Sequence, residues 1–389
     1  MWSFAIVSSG LAAGRLDDHR TEGKAQVVQR VLVAMSGGVD SSVAAGLAKE
    51  AGYDVVGVTL RLWDTPDDGS VRGRCCAPED VHDARRVAAY LGIPHYAFDR
   101  RDSFARHIVE PFVEAYLAGL TPSPCVVCNK TIKMRELLEL ADKLDADRVA
   151  TGHYARIATT DAGEPRLWRG VDRAKDQSYF LHMLGPDSLR RLVLPLGDLT
   201  KREVRALAVR WGLPGASKGE SQELCFVQAS SYAEFVESKA CHRLRPGPVV
   251  DPAGRRVAQH SGIHAFTVGQ RKNLGVALGY KAYVTDIDPN TATVRVGPRD
   301  QIVFEGADLC EFSLAPDVKL PRFAEVAVRY RGQSHGAWVT RSGPTRAEVA
   351  FSEPVAAVVA GQYAVLFDGD RVLGGGRIER ATRSSEGVS

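Results

Sequence analysis

One stretch constrains this chain more than any other. The run Val31-Leu32-Val33-Ala34-Met35 passes directly into Ser36-Gly37-Gly38-Val39-Asp40-Ser41-Ser42. Five apolar residues without alternation suit a strand buried on both faces, as in a parallel sheet. Val43, Ala44, Leu47 and Ala48 then recur at helical spacing up to Gly52. A strand, a glycine turn and a helix start make an anion cradle. Backbone N–H groups close around the anion, and the helix adds the positive end of its dipole. The hydroxyls of Ser36, Ser41 and Ser42 can donate to phosphate oxygens. No lysine follows, so this is not the Gly-Lys-Ser/Thr type of phosphate loop. Asp40 can cap the helix, hold magnesium, or do both.

Further α/β signals follow. Asp54–Leu60, His95–Phe98 and Arg148–Thr151 read as strands, Glu79–Leu91 and Ser103–Gly119 as helices. Strands alternating with helices predict an open parallel sheet with helices on both faces. After about residue 240 helical periods become scarce. Turns such as Pro246-Gly247, Asp288-Pro289-Asn290 and Asp368-Gly369-Asp370 punctuate β-prone runs at Val326–Tyr330, Ala337–Thr340, Ala347–Phe351 and Tyr363–Phe367. Short strands with frequent turns predict a small antiparallel barrel. The expected organisation is an N-terminal extension over 1–28, a catalytic α/β domain over 29–228, a small central β-rich domain over 229–298 and a C-terminal β-barrel over 299–382. The extension lacks a basic start, a long apolar core and a small-residue cleavage site, so it reads as a disordered tail or a miscalled start rather than a signal peptide.

The 389 residues exceed one ordinary domain. No apolar run reaches membrane-spanning length. A net charge of +3 gives no global basic field, so a nucleic-acid surface must be local. Seven cysteines is an odd number, unlike a secreted disulfide framework, and favours a cytoplasmic protein with reduced thiols. Two of them stand out. Cys128 closes the Cys125-Val126-Val127-Cys128-Asn129-Lys130 stretch, with Lys130 and Lys133 favouring its thiolate. Cys225 lies in Ser221-Gln222-Glu223-Leu224-Cys225-Phe226, 97 residues further on, so only the fold can bring the two together. Each alone is equally well a small buried hydrophobe.

Ser36–Ser41 resembles the pyrophosphate loop of the ATP pyrophosphatase superfamily. Over most of residues 30 to 380 the chain resembles, more closely, the bacterial tRNA-specific 2-thiouridylases. The resemblance rests on Ala34–Ser42, Cys128-Asn129-Lys130 with Ile132-Lys133, Thr151-Gly152-His153-Tyr154-Ala155-Arg156, Lys175–Leu181, Lys218–Phe226 and Thr267-Val268-Gly269-Gln270-Arg271-Lys272. It implies ATP-dependent 2-thiolation of a tRNA wobble uridine, with ATP and magnesium as cofactors. A cysteine desulfurase or a sulfur relay protein would be the donor, and no membrane would be involved. Cys225 would carry a persulfide and Cys128 would be the nucleophile. Ala34, Met35, Ser36, Gly37, Gly38, Val39, Asp40, Ser41, Leu60 and Gly152 would surround the nucleotide. Ser123, Pro124 and Cys125 would meet the target base, and His153, Lys175, Asp176, Gln177, Arg329, Tyr330 and Gln362 would contact tRNA.

One position departs from the family. Many members carry an Asp three residues before the nucleophile, where this chain has Cys125. Cys125, Cys128 and Cys225 are therefore also a candidate ligand set for an iron–sulfur cluster. Cys75 and Cys76 receive no role, and Cys241 and Cys310 read as structural. Between Lys319 and Arg346, six basic residues (Lys319, Arg322, Arg329, Arg331, Arg341, Arg346) stand against Glu325, with Tyr330 and Trp338 among them. Such a patch supplies phosphate contacts and stacking on unpaired bases; equally it is an ordinary charged β surface. An adenylating amide ligase of the same superfamily is the rival enzyme, and a non-catalytic RNA-binding relic the rival outside enzymes.

Overall fold

A computed structural model describes residues 28–63, 78–216, 219, 224–227 and 231–383. Residues 1–27 of the N-terminal extension, the Cys75–Cys76 pair and all of Lys218–Glu223 except Gly219 lie outside these residues.

The N-terminal part is built on β1 (Arg30–Ala34), β2 (Asp54–Arg61), β3 (His95–Asp99), β4 (Arg148–Ala150), the hairpin β5 (Ala155–Thr159) and β6 (Pro165–Arg169), and the short β7 (Leu192–Val193). Five of these form an all-parallel sheet in the order β3-β2-β1-β4-β7. The helices are α1 (Val39–Glu50), α2 (Pro78–Leu91), α3 over 101–117 and α4 over 124–143. A π turn interrupts each of the last two, at Ala105–Val109 and Asn129–Met134. β1 is buried on both faces, as its unbroken apolar run requires. Val31, Val33 and Met35 pack on Ala45 and Ala48 of α1 and Ala84 and Val87 of α2. Leu32 points the other way, into Met134, Leu137 and Leu140 of α4. Strand order reverses at β1, which has β2 on one side and β4 on the other. Open α/β sheets bind ligands outside the carboxyl ends of the strands at such a switch point. The Ser36–Ser42 loop leaves β1 there, and Thr151-Gly152-His153 leaves β4 beside it.

The central strands are β8 (Gly247–Val250), β9 (Arg256–His260), β10 (Tyr283–Asp288) and β11 (Thr293–Gly297), in the order β10-β11-β8-β9 over a core of Val249, Val284, Val294 and Val296. The last six are β12 (Val303–Leu314), β13 (Arg322–Ala327), β14 (Ser334–Gly343), β15 (Arg346–Ala356), β16 (Tyr363–Asp368) and β17 (Arg371–Thr382). They run β12-β15-β14-β13-β16-β17, and β12 pairs back to β17, which closes an antiparallel barrel. Closure removes the sheet edges that would otherwise invite aggregation. Leu309, Val326, Val339, Val349, Leu366 and Ile378 fill it. The strand expected over Val326–Tyr330 begins earlier and ends at Ala327, because the chain turns at Arg331, where φ is 56°.

The β5–β6 hairpin joins the barrel instead of the parallel sheet, through Arg371 opposite Trp168 on β17. Ion pairs fix this junction. Arg156 binds Asp370 at 2.8 Å, and Arg173 binds the same carboxylate. The buried Arg166 and Arg371 share Asp317. No helix among the described residues is long and apolar enough to cross a membrane.

Candidate active site

Gly37 needs to be glycine on two counts. Its φ is 73°, and a methyl group there would lie 2.4 Å from the Asp80 carbonyl oxygen. Gly38 precedes α1 as an extended N-cap residue, and its carbonyl accepts from the hydroxyls of Ser41 (3.0 Å) and Ser42 (2.9 Å). Ser41 Oγ also takes the Ser36 N–H at 3.1 Å. Gly152 completes the cradle from β4. A Cβ there would sit 2.9 Å from the Ser41 nitrogen, so only glycine lets the two loops touch.

These loops open onto a pocket of about 410 Å³. Of the ten positions that the resemblance assigns to the nucleotide, Ala34, Met35, Ser36, Gly38, Val39, Asp40, Ser41, Leu60 and Gly152 line it. Gly37, the tenth, is not part of the wall. The sequence did not single out Lys201 and Tyr154. Both bind Asp40 Oδ1, Lys201 Nζ at 2.6 Å and the Tyr154 hydroxyl at 2.7 Å. Lys201 is the first residue of α5 (Lys201–Arg210), whose N-cap Thr200 and Glu203 form a capping box. The capping box is legible in the sequence; a partner 161 residues away is not.

Pro124–Cys128 begins α4, and its turns separate the cysteines. Cys125 lines the pocket. Cys128, one turn on, is buried in an aromatic cluster with Phe104, Phe112 and Phe226. Cys225 packs against the same cluster and lines the pocket, so the fold brings residues 128 and 225 into one neighbourhood. The expected ease of ionisation at Cys128 is corrected. Burial pushes its thiol up to about 11, and Lys133 opposes that shift without overcoming it. Lys130 is exposed and does not share in it.

His153 lines the pocket, with Nδ1 2.8 Å from Thr151 Oγ1. Burial, aided by Lys133, holds its pKa down to about 3, so the ring is neutral. Lys175 and Gln177 line the pocket as well, and Gln177 Oε1 accepts the Tyr154 N–H at 3.0 Å. Asp176 is absent from the wall. Its carboxylate ties down its own turn, accepting from the N–H groups of Gly170 and Ser178 and from the Ser178 hydroxyl. The barrel contributes Tyr330, tilted on Phe180 at 4.2 Å, and Arg331 to the pocket mouth. Arg329 is exposed, and neither it nor Ser123, Pro124 or Gln362 lines the pocket.

Of the six basic residues read between Lys319 and Arg346, two are paired with acids further along the chain, Arg322 with Asp368 and Arg346 with Glu379, while Arg341 binds the Pro344 carbonyl at 2.8 Å.

Three family models match. One described as the tRNA methyl transferase HUP domain covers residues 29–229, a tRNA methyl transferase PRC-barrel domain covers 233–298, and an aminomethyltransferase beta-barrel domain covers 311–378. The tRNA-specific 2-thiouridylase MnmA of Sorangium cellulosum is 57% identical over 360 residues, 91% of this chain and 93% of that protein. The protein of the same name from Chloroflexus aggregans is 47% identical over 352 residues, 90% of this chain and 98% of that protein.

Proposed function

The chain belongs to the tRNA-specific 2-thiouridylase family, and from that premise we propose that it uses ATP to place sulfur on carbon 2 of a tRNA wobble uridine. One observation carries this reading. A single pocket holds the glycine–serine anion loop, Cys125 and Cys225, with Cys128 packed directly behind. Methyl transfer, which two of the family descriptions name, needs neither a phosphate loop nor a cysteine pair.

The 2-carbonyl oxygen is a poor leaving group. Its attack on the α-phosphate of ATP expels pyrophosphate and leaves the oxygen as part of AMP. The N–H groups of the Ser36–Ser41 loop and the Lys201 ammonium face the charge that develops there. A magnesium ion held on the phosphates would add further neutralisation; Asp40, whose Oδ1 accepts from Lys201 and Tyr154, and Asp80 are the acids lining the pocket that would stand nearest to it. Sulfur then arrives on Cys225 as a persulfide, loaded by a cysteine desulfurase or a relay protein. Its outer sulfur adds to carbon 2 and AMP departs. The Cys128 thiolate attacks the inner sulfur; the electron pair of the broken sulfur–sulfur bond stays with the transferred sulfur, and a Cys128–Cys225 disulfide remains for a thiol reductant. The same attack before addition would release hydrosulfide as the nucleophile. Neutral His153, Lys175, Gln177, Tyr330 and Arg331 line the same pocket, which supports the reading that a splayed anticodon base enters there.

An iron–sulfur cluster fits less well. Cys128 sits among aromatic rings while Cys125 and Cys225 face the pocket, and no three His, Cys, Asp or Glu side chains among the described residues converge to hold a metal. The test is 2-thiouridine formation on tRNA by anaerobically purified protein given ATP and a persulfide donor. The expected result is product from iron-free protein and none from Cys128→Ser or Cys225→Ser. ATP cleavage without 2-thiouridine would instead support an adenylating ligase.

A further inference from the structure

The segment joining α3 to α4 leads through Ser123 and Pro124 to Cys125 in the pocket wall, and all three parts of the fold grip it. From the barrel, Gln362 Nε2 donates to the carbonyls of Thr121 (2.9 Å) and Pro122 (3.3 Å). The Thr121 N–H donates to the Ala360 carbonyl at 3.0 Å. Gly361, at φ 93°, approaches so closely that a Cβ would lie 2.9 Å from the Thr121 carbonyl oxygen. Gln362 is itself seated on β17, since its carbonyl accepts the N–H of the fully buried Ile378 at 2.8 Å. From the central part, Thr267 Oγ1 accepts the Thr121 hydroxyl at 3.2 Å, and the Thr267 N–H is held by Gln270 Oε1. Ile287 packs against Gly119. Pro124 is buried immediately beyond.

We infer that Gln362 is a positioning residue that acts on this segment. Its amide donates to two adjacent backbone carbonyls, which no carboxylate and no apolar side chain of that size would do. Cys125 and Cys128 follow within two helical turns, so the latch sets where both cysteines stand relative to the nucleotide loop. The Thr267-Val268-Gly269-Gln270 turn, which the sequence marks and the chemistry leaves without a role, is the second half of the same latch. This inference rests on the thiolation reading of the site.

The test is Gln362→Glu, which turns the donor into an acceptor facing two carbonyl oxygens. Single-turnover thiolation at saturating tRNA and ATP should fall about tenfold or more, because sub-ångström misplacement of reacting groups is costly. The tRNA Kd should stay within about threefold, and backbone amides of residues 119–124 should exchange hydrogen faster in the free protein. Gln362→Lys keeps a donor at that reach and should restore the saturating rate. A raised Kd with an unchanged saturating rate would mean direct RNA contact and overturn the inference, as would no change in either. If Gln362→Glu fails to fold, Thr267→Val removes the other hydrogen bond to Thr121 and should lower the saturating rate in the same direction; an unchanged rate there overturns the latch. Wild-type protein assayed alongside separates the two failures: no 2-thiouridine from it removes the proposed function, whereas wild-type product with an intact variant rate removes only this inference.

Discussion

Cys128 offers a sharp test, because its burial and its proposed role pull in opposite directions. A nucleophilic cysteine must ionise, yet the aromatic cluster pushes this thiol from an ordinary 9.0 up to about 11. The two values are two pH units apart. At pH 8 the folded protein should therefore hold about one-hundredth of the thiolate of an unperturbed cysteine, equivalent to about 3 kcal/mol. Alkylation by iodoacetamide, followed site by site with mass spectrometry, reads this directly. Poor access slows the reaction at every pH by the same factor, so the inflection reports ionisation alone. The Cys128 rate should climb about tenfold per pH unit from pH 7 and still be climbing at pH 10. Replacing Lys133 with Met removes the cation that opposes burial and should move the inflection higher still. The same shift governs stability. The folded thiol holds its proton more tightly than the unfolded one, so its contribution is complete below pH 9 and is lost as pH rises through 11. A plateau in alkylation at or below pH 9 would refute this reasoning and show that Lys133 outweighs desolvation. If the plateau is absent, the enzyme must expose Cys128 or remove its proton when substrates arrive, and single-turnover thiolation should rise with pH between 7 and 9.

Other expectations follow from the pocket wall. Gly152→Ala places a methyl group 2.9 Å from the Ser41 nitrogen, about half an ångström inside ordinary contact, and should cost about 1–3 kcal/mol and weaken ATP binding measurably by titration calorimetry. Gly185→Ala, where nothing lies within 4 Å, is the control expected to leave ATP affinity unchanged. Lys201→Met leaves Asp40 without its ammonium partner, and a double-mutant cycle with Asp40→Asn on thermal stability should show coupling of about 1–2 kcal/mol, since the pair is only partly desolvated. Asp370→Ala removes the shared partner of Arg156 and Arg173 and should raise proteolytic cutting within 170–177 ahead of global unfolding.

The sequence was most legible where structure is local. The β1 run, the glycine turn and the start of α1 are decided by neighbours a few residues apart, and all three stand where the pattern put them. Gly152 could be quoted within a motif, but its reason, a close approach to Ser41, belongs to the pairing of β1 with β4. Charge was the least legible property. Arg322 and Arg346 read as part of an RNA-facing patch because Asp368 and Glu379 stand 46 and 33 residues beyond them, across strand pairings that no window of composition samples. Cys128 failed for the same reason: the adjacent lysines are visible in the chain, whereas Phe104, Phe112 and Phe226 gather around it only on folding.

This pattern bears on how the parts work together. The pocket is assembled from loops at the ends of β1 and β4, but part of its lining and one of its supports come from the barrel: Tyr330 and Arg331 in the wall, Gln362 on the Thr121 carbonyl of the segment that leads to Cys125. The hairpin β5–β6 carries the reverse connection, since it leaves the pocket residues 151–154 and pairs with β17. Asp370, at the turn into β17, binds Arg156 of the hairpin and Arg173 of the loop that presents Lys175 and Gln177. Under the proposed function, a tRNA base that meets Tyr330 and Arg331 and a nucleotide on the Ser36–Ser41 loop would occupy one pocket whose walls these ion pairs join. Equilibrium coupling between two ligands is reciprocal. Nucleotide binding should tighten tRNA binding by the same factor that tRNA tightens nucleotide binding, and Asp370→Ala should bring that one shared factor towards unity. A coupling factor unchanged in Asp370→Ala would mean that the ion pairs only hold the chain together and do not transmit occupancy between the ligands.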